Sequence, residues 1–141
     1  MLQENTLLAV FSLPPDIFHP GATASTCCML FELGVRHEKS KINGTFFGYY
    51  KNDGFIKKRN LGRVEKIEGG KSEWEKEYNI WLELFNERKE KAGYSVIRKV
   101  THNDEWLAEA YMETDYSDLK EDDFEKTIRE FISFKIKTGE I

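Results

Sequence analysis

Two apolar runs stand near the start of the chain, Leu7 to Leu13 and Thr26 to Leu33, the second ended by Gly34. Neither alternates cleanly with polar residues, so each reads as a strand buried on both faces. Two such strands ask for helices on both sides of their sheet. Only one candidate helix of adequate length follows before the last quarter of the chain, so the missing layers have to come from elsewhere. All three prolines lie between the runs, in Leu13-Pro14-Pro15-Asp16-Ile17-Phe18-His19-Pro20-Gly21. Proline fixes φ and removes a backbone donor, so this segment is a stiff loop between strands, a common setting for a ligand.

Farther along, Thr45-Phe46-Phe47-Gly48-Tyr49-Tyr50 and Gly54-Phe55-Ile56-Lys57 flank Lys51-Asn52-Asp53. The aromatic runs and the Asp-Gly pair predict a β-hairpin over about 44–58, or a strand followed by a turn. Gly69-Gly70 breaks the chain, and Ser72-Glu73-Trp74-Glu75 has the capping-box pattern that opens a helix. Trp74, Tyr78, Trp81, Leu82 and Phe85 follow at helical spacing as one buried aromatic stripe, and Gly93 is placed to close a helix over about 73–91. Tyr94 to Val100 fits a short strand, and Asp104 to Tyr111 fits a short helix. Phe124, Ile128, Phe131, Ile132 and Ile136 mark a terminal amphipathic helix over about 121–137.

A chain of 141 residues, 40% of them hydrophobic, is enough for one domain with a real core. A net charge of −4 excludes a global polybasic signature, but the charge is uneven. Between Lys51 and Lys66 there are six basic residues against Asp53 and Glu65, whereas between Asn103 and Glu125 ten acidic residues face Lys120 alone. This polarity reads either as two surfaces with different partners or as two solvated faces. The adjacent Cys27 and Cys28 point to opposite faces of a strand, so they suit neither a mutual disulfide nor a shared metal. Two buried free thiols, no signal peptide and no apolar run of membrane-spanning length predict a cytoplasmic protein. The chain enters its first core strand almost at once, which predicts a piece cut from a longer protein.

Candidate chemistry is sparse. His19, His37 and His102 stand in no pattern with a nucleophile, and no His/Cys cluster has metal-ligand spacing. Neither a GxGxxG nor a Walker loop is present. The acidic pairs near the C-terminus lack the calcium-loop pattern. No convergent acid, base and nucleophile can be named, which argues against a self-contained small enzyme. The proline loop remains. It offers Phe18 and His19 beside the small residues Gly21, Ala22, Ala24 and Ser25. An aromatic held by prolines beside such backbone suits a planar ligand such as a nucleobase, with stacking worth about 1–3 kcal/mol. The plainer alternative is that Phe18 plugs the end of the sheet.

The run from Leu8 through Leu13-Pro14-Pro15-Asp16-Ile17-Phe18-His19-Pro20-Gly21-Ala22, followed by Thr26-Cys27-Cys28-Met29-Leu30-Phe31, resembles the late part of the catalytic domain of N6-adenine DNA methyltransferases. The similarity is to the modification subunits of type I restriction–modification systems. Thr45-Phe46-Phe47-Gly48-Tyr49-Tyr50-Lys51-Asn52-Asp53-Gly54-Phe55 and Asp104-Glu105-Trp106-Leu107-Ala108-Glu109-Ala110-Tyr111 resemble that family's C-terminal region. The three blocks occur in the family's order and span most of the chain.

The resemblance implies an α/β fold: the C-terminal edge of a Rossmann-like methyltransferase sheet, an antiparallel hairpin, followed by an α+β extension with two amphipathic helices. Residues 1–36 would be the last strands of the catalytic domain and 37–141 the extension. Phe18 matches the aromatic that packs against a flipped-out adenine, with Pro20 and Gly21 beside it. Flipping is required because the adenine amino group is inaccessible inside the stack. Lys51, Lys57, Lys58, Arg59 and Arg63 would contact DNA phosphates. Trp74, Trp81, Phe85, Phe124 and Phe131 would dock the specificity subunit or the remainder of the methyltransferase subunit, with a restriction subunit as a further partner. The family's cofactor is S-adenosylmethionine. Its glycine-rich cofactor motif and its Asn/Asp-Pro-Pro-aromatic motif are absent from this chain, since Pro14-Pro15 follows Ser12-Leu13 and precedes Asp16. The cofactor would therefore be bound mainly by sequence outside the chain, and the chain alone would be inactive. The other reading is a non-catalytic module that binds nucleic acid or protein, for which the charge polarity speaks.

Overall fold

The computed structural model describes residues 1–22, 24–114 and 120–139. In chain order the strands are β1 (Asn5–Ser12), β2 (Cys27–Leu33), β3 (Thr45–Tyr49), β4 (Phe55–Lys58), β5 (Gly62–Glu65), β6 (Ile67–Glu68), β7 (Lys71–Ser72) and β8 (Ser95–Arg98). Helix α1 spans Glu73–Asn86 and helix α2 spans Glu121–Thr138, with short 3₁₀ turns at His37–Lys39 and Ala108–Ala110. The architecture is mixed α/β. A central sheet runs β2-β1-β3-β8, and two small sheets pair β4 with β5 and β6 with β7.

β1 pairs antiparallel with β2 and parallel with β3, and β3 pairs antiparallel with β8. The register against β2 slips between Leu7 and Ala9. That bulge sets Leu7 and Val10 in the core cluster on one face of the sheet and Ala9 and Phe11 in the cluster on the other. β3 alternates without interruption, Phe46 facing one cluster and Phe47 the other. One face is covered by α1. There Phe85 meets Phe11 and Phe46 edge-on at 5.3 and 5.5 Å, and Trp81 stacks on Tyr50 at 4.3 Å. The other face is covered by the segment after β8, which brings Val100, Trp106, Ala108, Tyr111 and Met112 against Leu7, Val10 and Phe47. The layer for which no helix was in sight is therefore irregular backbone.

Close packing explains Gly48. A Cβ there would lie 2.8 Å from a Phe11 ring carbon and 2.9 Å from a Tyr50 ring carbon, so only glycine lets the two rings stack at 5.3 Å.

Three expectations are corrected. Of the two readings of the segment about 44–58, the hairpin does not form and the strand followed by a turn does. β3 is drawn between β1 and β8 because its two phenylalanines each have a core to fill, and β4 turns instead through 59–61 to pair with β5, Asn60 adopting φ 65°. β2 is not buried on both faces. It is an edge strand with Cys28, Met29, Leu30 and Leu33 exposed, so the thiols are not both buried. The central sheet draws strands from both sides of residue 36. Finally, α1 stops at Asn86 rather than near Gly93. Arg88 takes the left-handed conformation at φ 48°, Lys89 N–H reaches back to the Leu84 carbonyl, and the Arg88 guanidinium donates to the Gly44 carbonyl. The start of α1 is as expected, with the Ser72 hydroxyl accepting from Glu75 N–H at 3.2 Å.

The turn 51–54 packs its backbone against the first turn of α1. A Cβ on Gly54, at φ 74°, would lie 2.3 Å from the Trp74 nitrogen. Backbone cannot yield there, so Gly54→Ala should lower unfolding stability by on the order of 3 kcal/mol. Gly62 shares a positive φ of 76° but has nothing within 4 Å, so Gly62→Ala should cost only about 1–2 kcal/mol. Urea midpoints of the two variants check the ordering, and equal losses would refute the backbone clash.

Candidate nucleic-acid interface

The loop between β1 and β2 is closed at its base by Leu13 N–H donating to the Thr26 carbonyl at 3.0 Å. Pro14 is buried beneath it. Above the base the loop winds through consecutive turns, with Ile17, His19 and Ala22 N–H groups bonded to the carbonyls of Pro14, Asp16 and Phe18. Phe18 emerges 54% exposed, with Pro20 and Gly21 also at the surface. It does not plug the sheet end. A proline-braced loop therefore holds an aromatic ring out in solvent.

Arg63 ties this loop to the β4–β5 hairpin. Its guanidinium donates to both Asp53 carboxylate oxygens at 2.6 and 2.7 Å, lies over the Phe55 ring at 5.2 Å, and approaches Asp16 Oδ1 at 3.3 Å through Nε. Asp53 is buried, and its Oδ1 also accepts from Phe55 N–H. Burial disfavours the Arg63 charge, but the hydrogen bond and charge of Asp53, then Asp16, outweigh it and raise its pKa above the ordinary value. Asp16 sits two residues before Phe18, and Arg63 is the register partner of Lys57. The exposed ring and the hairpin strand thus belong to one end of the molecule. Lys57, Lys58 and Arg59 are exposed along β4 and its turn, with no ion pair to an acidic group among the described residues.

A second clamp holds the loop from the other side. Lys51 Nζ pairs with Glu109 at 2.8 Å and donates to the Leu13 carbonyl at 3.3 Å, and Glu109 accepts from the buried Ser12 hydroxyl at 2.5 Å. Burial pushes the Glu109 carboxyl up, but hydrogen bonds from Lys51 and Ser12 dominate, and its pKa falls below the ordinary 4.5.

The five cations therefore divide. Lys57, Lys58 and Arg59 face solvent, whereas Lys51 and Arg63 are held in ion pairs within the chain. The aromatics divide as well. Trp74, Trp81 and Phe85 pack, partly buried, against Phe55, Tyr50, Phe11 and Phe46 of the same chain. Phe124 and Phe131 on α2 are exposed. Sequence reasoning missed Ser12, Asp16, Asp53 and Glu109. The one local signal was Asn60 and Gly62, whose turn sets Arg63 across from Lys57 and within reach of Asp53. His37 plays a structural part, its Nδ1 accepting from Leu7 N–H at 3.3 Å.

No cradle for S-adenosylmethionine is formed by the described residues. β1 runs into prolines rather than a glycine-rich turn, and the N-terminus of α1 is capped by Ser72 and covered by the backbone of Gly54. A cavity of about 370 Å³ is lined by Tyr49, Gly93, Glu109, Met112, Glu113 and Thr114, a carboxylate-bearing wall suited to neither a carboxylate nor a phosphate. No group of three or more His, Cys, Asp or Glu among the described residues is placed to hold a metal, and no helix among them is long and apolar enough to cross a membrane. Compared with protein-family models, curated proteins and solved structures, the chain matches none.

The lowered pKa of Glu109 fixes the sign of a pH effect. A carboxylate depressed in the folded state stabilises at neutral pH, and that contribution disappears as pH falls below about 4.5 and through the folded value. Glu109→Gln should be less stable than wild type at pH 7, and the gap should narrow as pH falls below 4.5 and through the lowered folded-state value. Urea unfolding across that pH range measures this, and a constant difference would show that the charge of Glu109 contributes nothing.

Proposed function

We propose that the chain is the C-terminal portion of an S-adenosylmethionine-dependent N6-adenine DNA methyltransferase, the modification subunit of a type I restriction–modification system. The observation that carries this reading is the Arg63 bridge, which joins the loop exposing Phe18 to the hairpin exposing Lys57, Lys58 and Arg59. A solvent-facing aromatic beside unpaired cations suits a base swung out of a duplex whose backbone lies alongside. The antiparallel β1–β2 pair agrees with the closing strands of a Rossmann-like sheet, and the sequence blocks quoted above supply the family.

In this reading Phe18 packs on the target adenine, with Pro20 and Gly21 shaping the loop around it. The three exposed cations hold phosphates, while Lys51 and Arg63 position the loop. The cofactor is held by polypeptide other than this chain, since the residues here do not fit it. Docking to the remainder of the methyltransferase subunit falls to the open edge of β2, which has no strand partner on that side among the described residues. Specificity and restriction subunits complete the assembly. A binding module without a catalytic parent would use the same surface but would play no part in methylation.

Replacing Lys57, Lys58 and Arg59 with Glu should weaken duplex DNA binding and reduce the slope of log K against log salt by about 2–3. An unchanged slope would confine these residues to keeping the surface soluble. Phe18→Ala should leave that slope alone yet lower adenine methylation by the parent subunit about tenfold or more, without moving the urea midpoint. Full methylation by the variant would remove the base-packing role and favour the binding module.

A further inference from the structure

Helix α2 has no buried residue, and it carries a continuous apolar stripe. Phe124, Ile128, Phe131 and Ile132 recur at i, i+4, i+7 and i+8, and each is 44–57% exposed. Spacing of seven residues returns a helix to nearly the same face. Glu121 and Lys135 lie seven residues before and after Ile128, so the stripe begins on an acid and ends on a base. The wider charge pattern agrees, with Glu121, Asp122 and Asp123 in the first turn and Lys135 and Lys137 in the last.

We propose that this stripe is the seam of a homodimer, in which α2 packs antiparallel against α2 of a second copy about a two-fold axis at Ile128. Charge complementarity selects both the occupant and the direction. Antiparallel packing centred on Ile128 sets Ile128 against its symmetry mate, Phe124 against Ile132, and Glu121 against Lys135, twice over. Parallel packing would set acid against acid at one end and base against base at the other, which is repulsive. A two-fold seam needs a surface complementary to itself, and a stripe with opposite charges equidistant from its centre meets that need. The helix dipoles also align favourably when antiparallel. The Lys135 ammonium lies over the Phe131 ring at 5.6 Å, at the edge of the stripe. An 18-residue helix gives a seam about 27 Å long. That is a small interface, which points to a reversible monomer–dimer equilibrium.

Sedimentation equilibrium of the whole chain across the micromolar range tests the proposal. The expected result is a monomer–dimer equilibrium. Ile128→Glu, which sets two carboxylates face to face on the axis, should abolish it and leave the urea midpoint of the body unchanged. Glu121→Lys or Lys135→Glu alone should weaken dimerisation at least fivefold, and the double variant should recover most of the loss. Recovery is specific to antiparallel packing, because a parallel pair repels in both the wild type and the double variant. A chain that stays monomeric throughout overturns the proposal and leaves the stripe to a different polypeptide. A dimer that survives Ile128→Glu places the seam elsewhere and also overturns it. Failure of the double variant to recover overturns the antiparallel assignment.

Discussion

β1 has no face left for water. Leu7, Ala9 and Val10 are wholly buried, and the bulge between Leu7 and Ala9 deals them to opposite sides of the sheet. A strand in that position must be covered twice. One cover is the aromatic face of α1, locked by the Tyr50–Trp81 stack and by the gap that Gly48 leaves for Phe11. The other is the segment 100–112, which has little regular structure but satisfies its backbone locally through turns and 3₁₀ bonds. The remaining elements follow from that double cover. β3 is taken into the sheet, β4 is left to find a partner in β5, and β2 is left at an edge.

The position of the proline loop depends on the same arrangement. β1 delivers the loop at its C-terminal end, and two ion pairs fix where it goes next. A buried charge is retained only when its partner is well placed, and removing one partner strands the other, as at Arg63 and the buried Asp53. Arg63 also reaches Asp16, and Lys51 pairs with the more exposed Glu109. Each pair joins the loop to a different part of the chain, so Phe18 is presented from a braced platform rather than from a free loop. The cations left over, Lys57, Lys58 and Arg59, are the ones with room for an outside anion.

Local signals were legible in the sequence. Ser72 caps α1 where its spacing to Glu75 said it would, the apolar run of β1 is buried, and the terminal helix falls on Glu121–Thr138. Non-local choices were not. Nothing near Phe46 says that it will sit between β1 and β8, and nothing near Arg88 says that its side chain will reach Gly44 and end the helix early. The candidate site shows the same division. The proline loop and its aromatic could be read directly, because three prolines and Phe18 are contiguous. The roles of Lys51 and Arg63 could not, because a run of positive charge does not reveal that Glu109 and Asp16 come to meet it from 58 and 47 residues away. The α1 stripe was equally ambiguous, since an amphipathic face does not say whether its cover is the same chain or another.

The central claim is that one end of this molecule, the Phe18 loop together with the tip of the β4–β5 hairpin, is a nucleic-acid surface. Amide chemical-shift mapping of the labelled chain, titrated with a short adenine-containing DNA, tests it most directly. The account predicts perturbations concentrated in residues 16–22 and 56–60, growing smaller as salt is added, with the sheet edge at β8 unaffected. Perturbations confined to α2 or to the segment 100–112, or none at all, would contradict it.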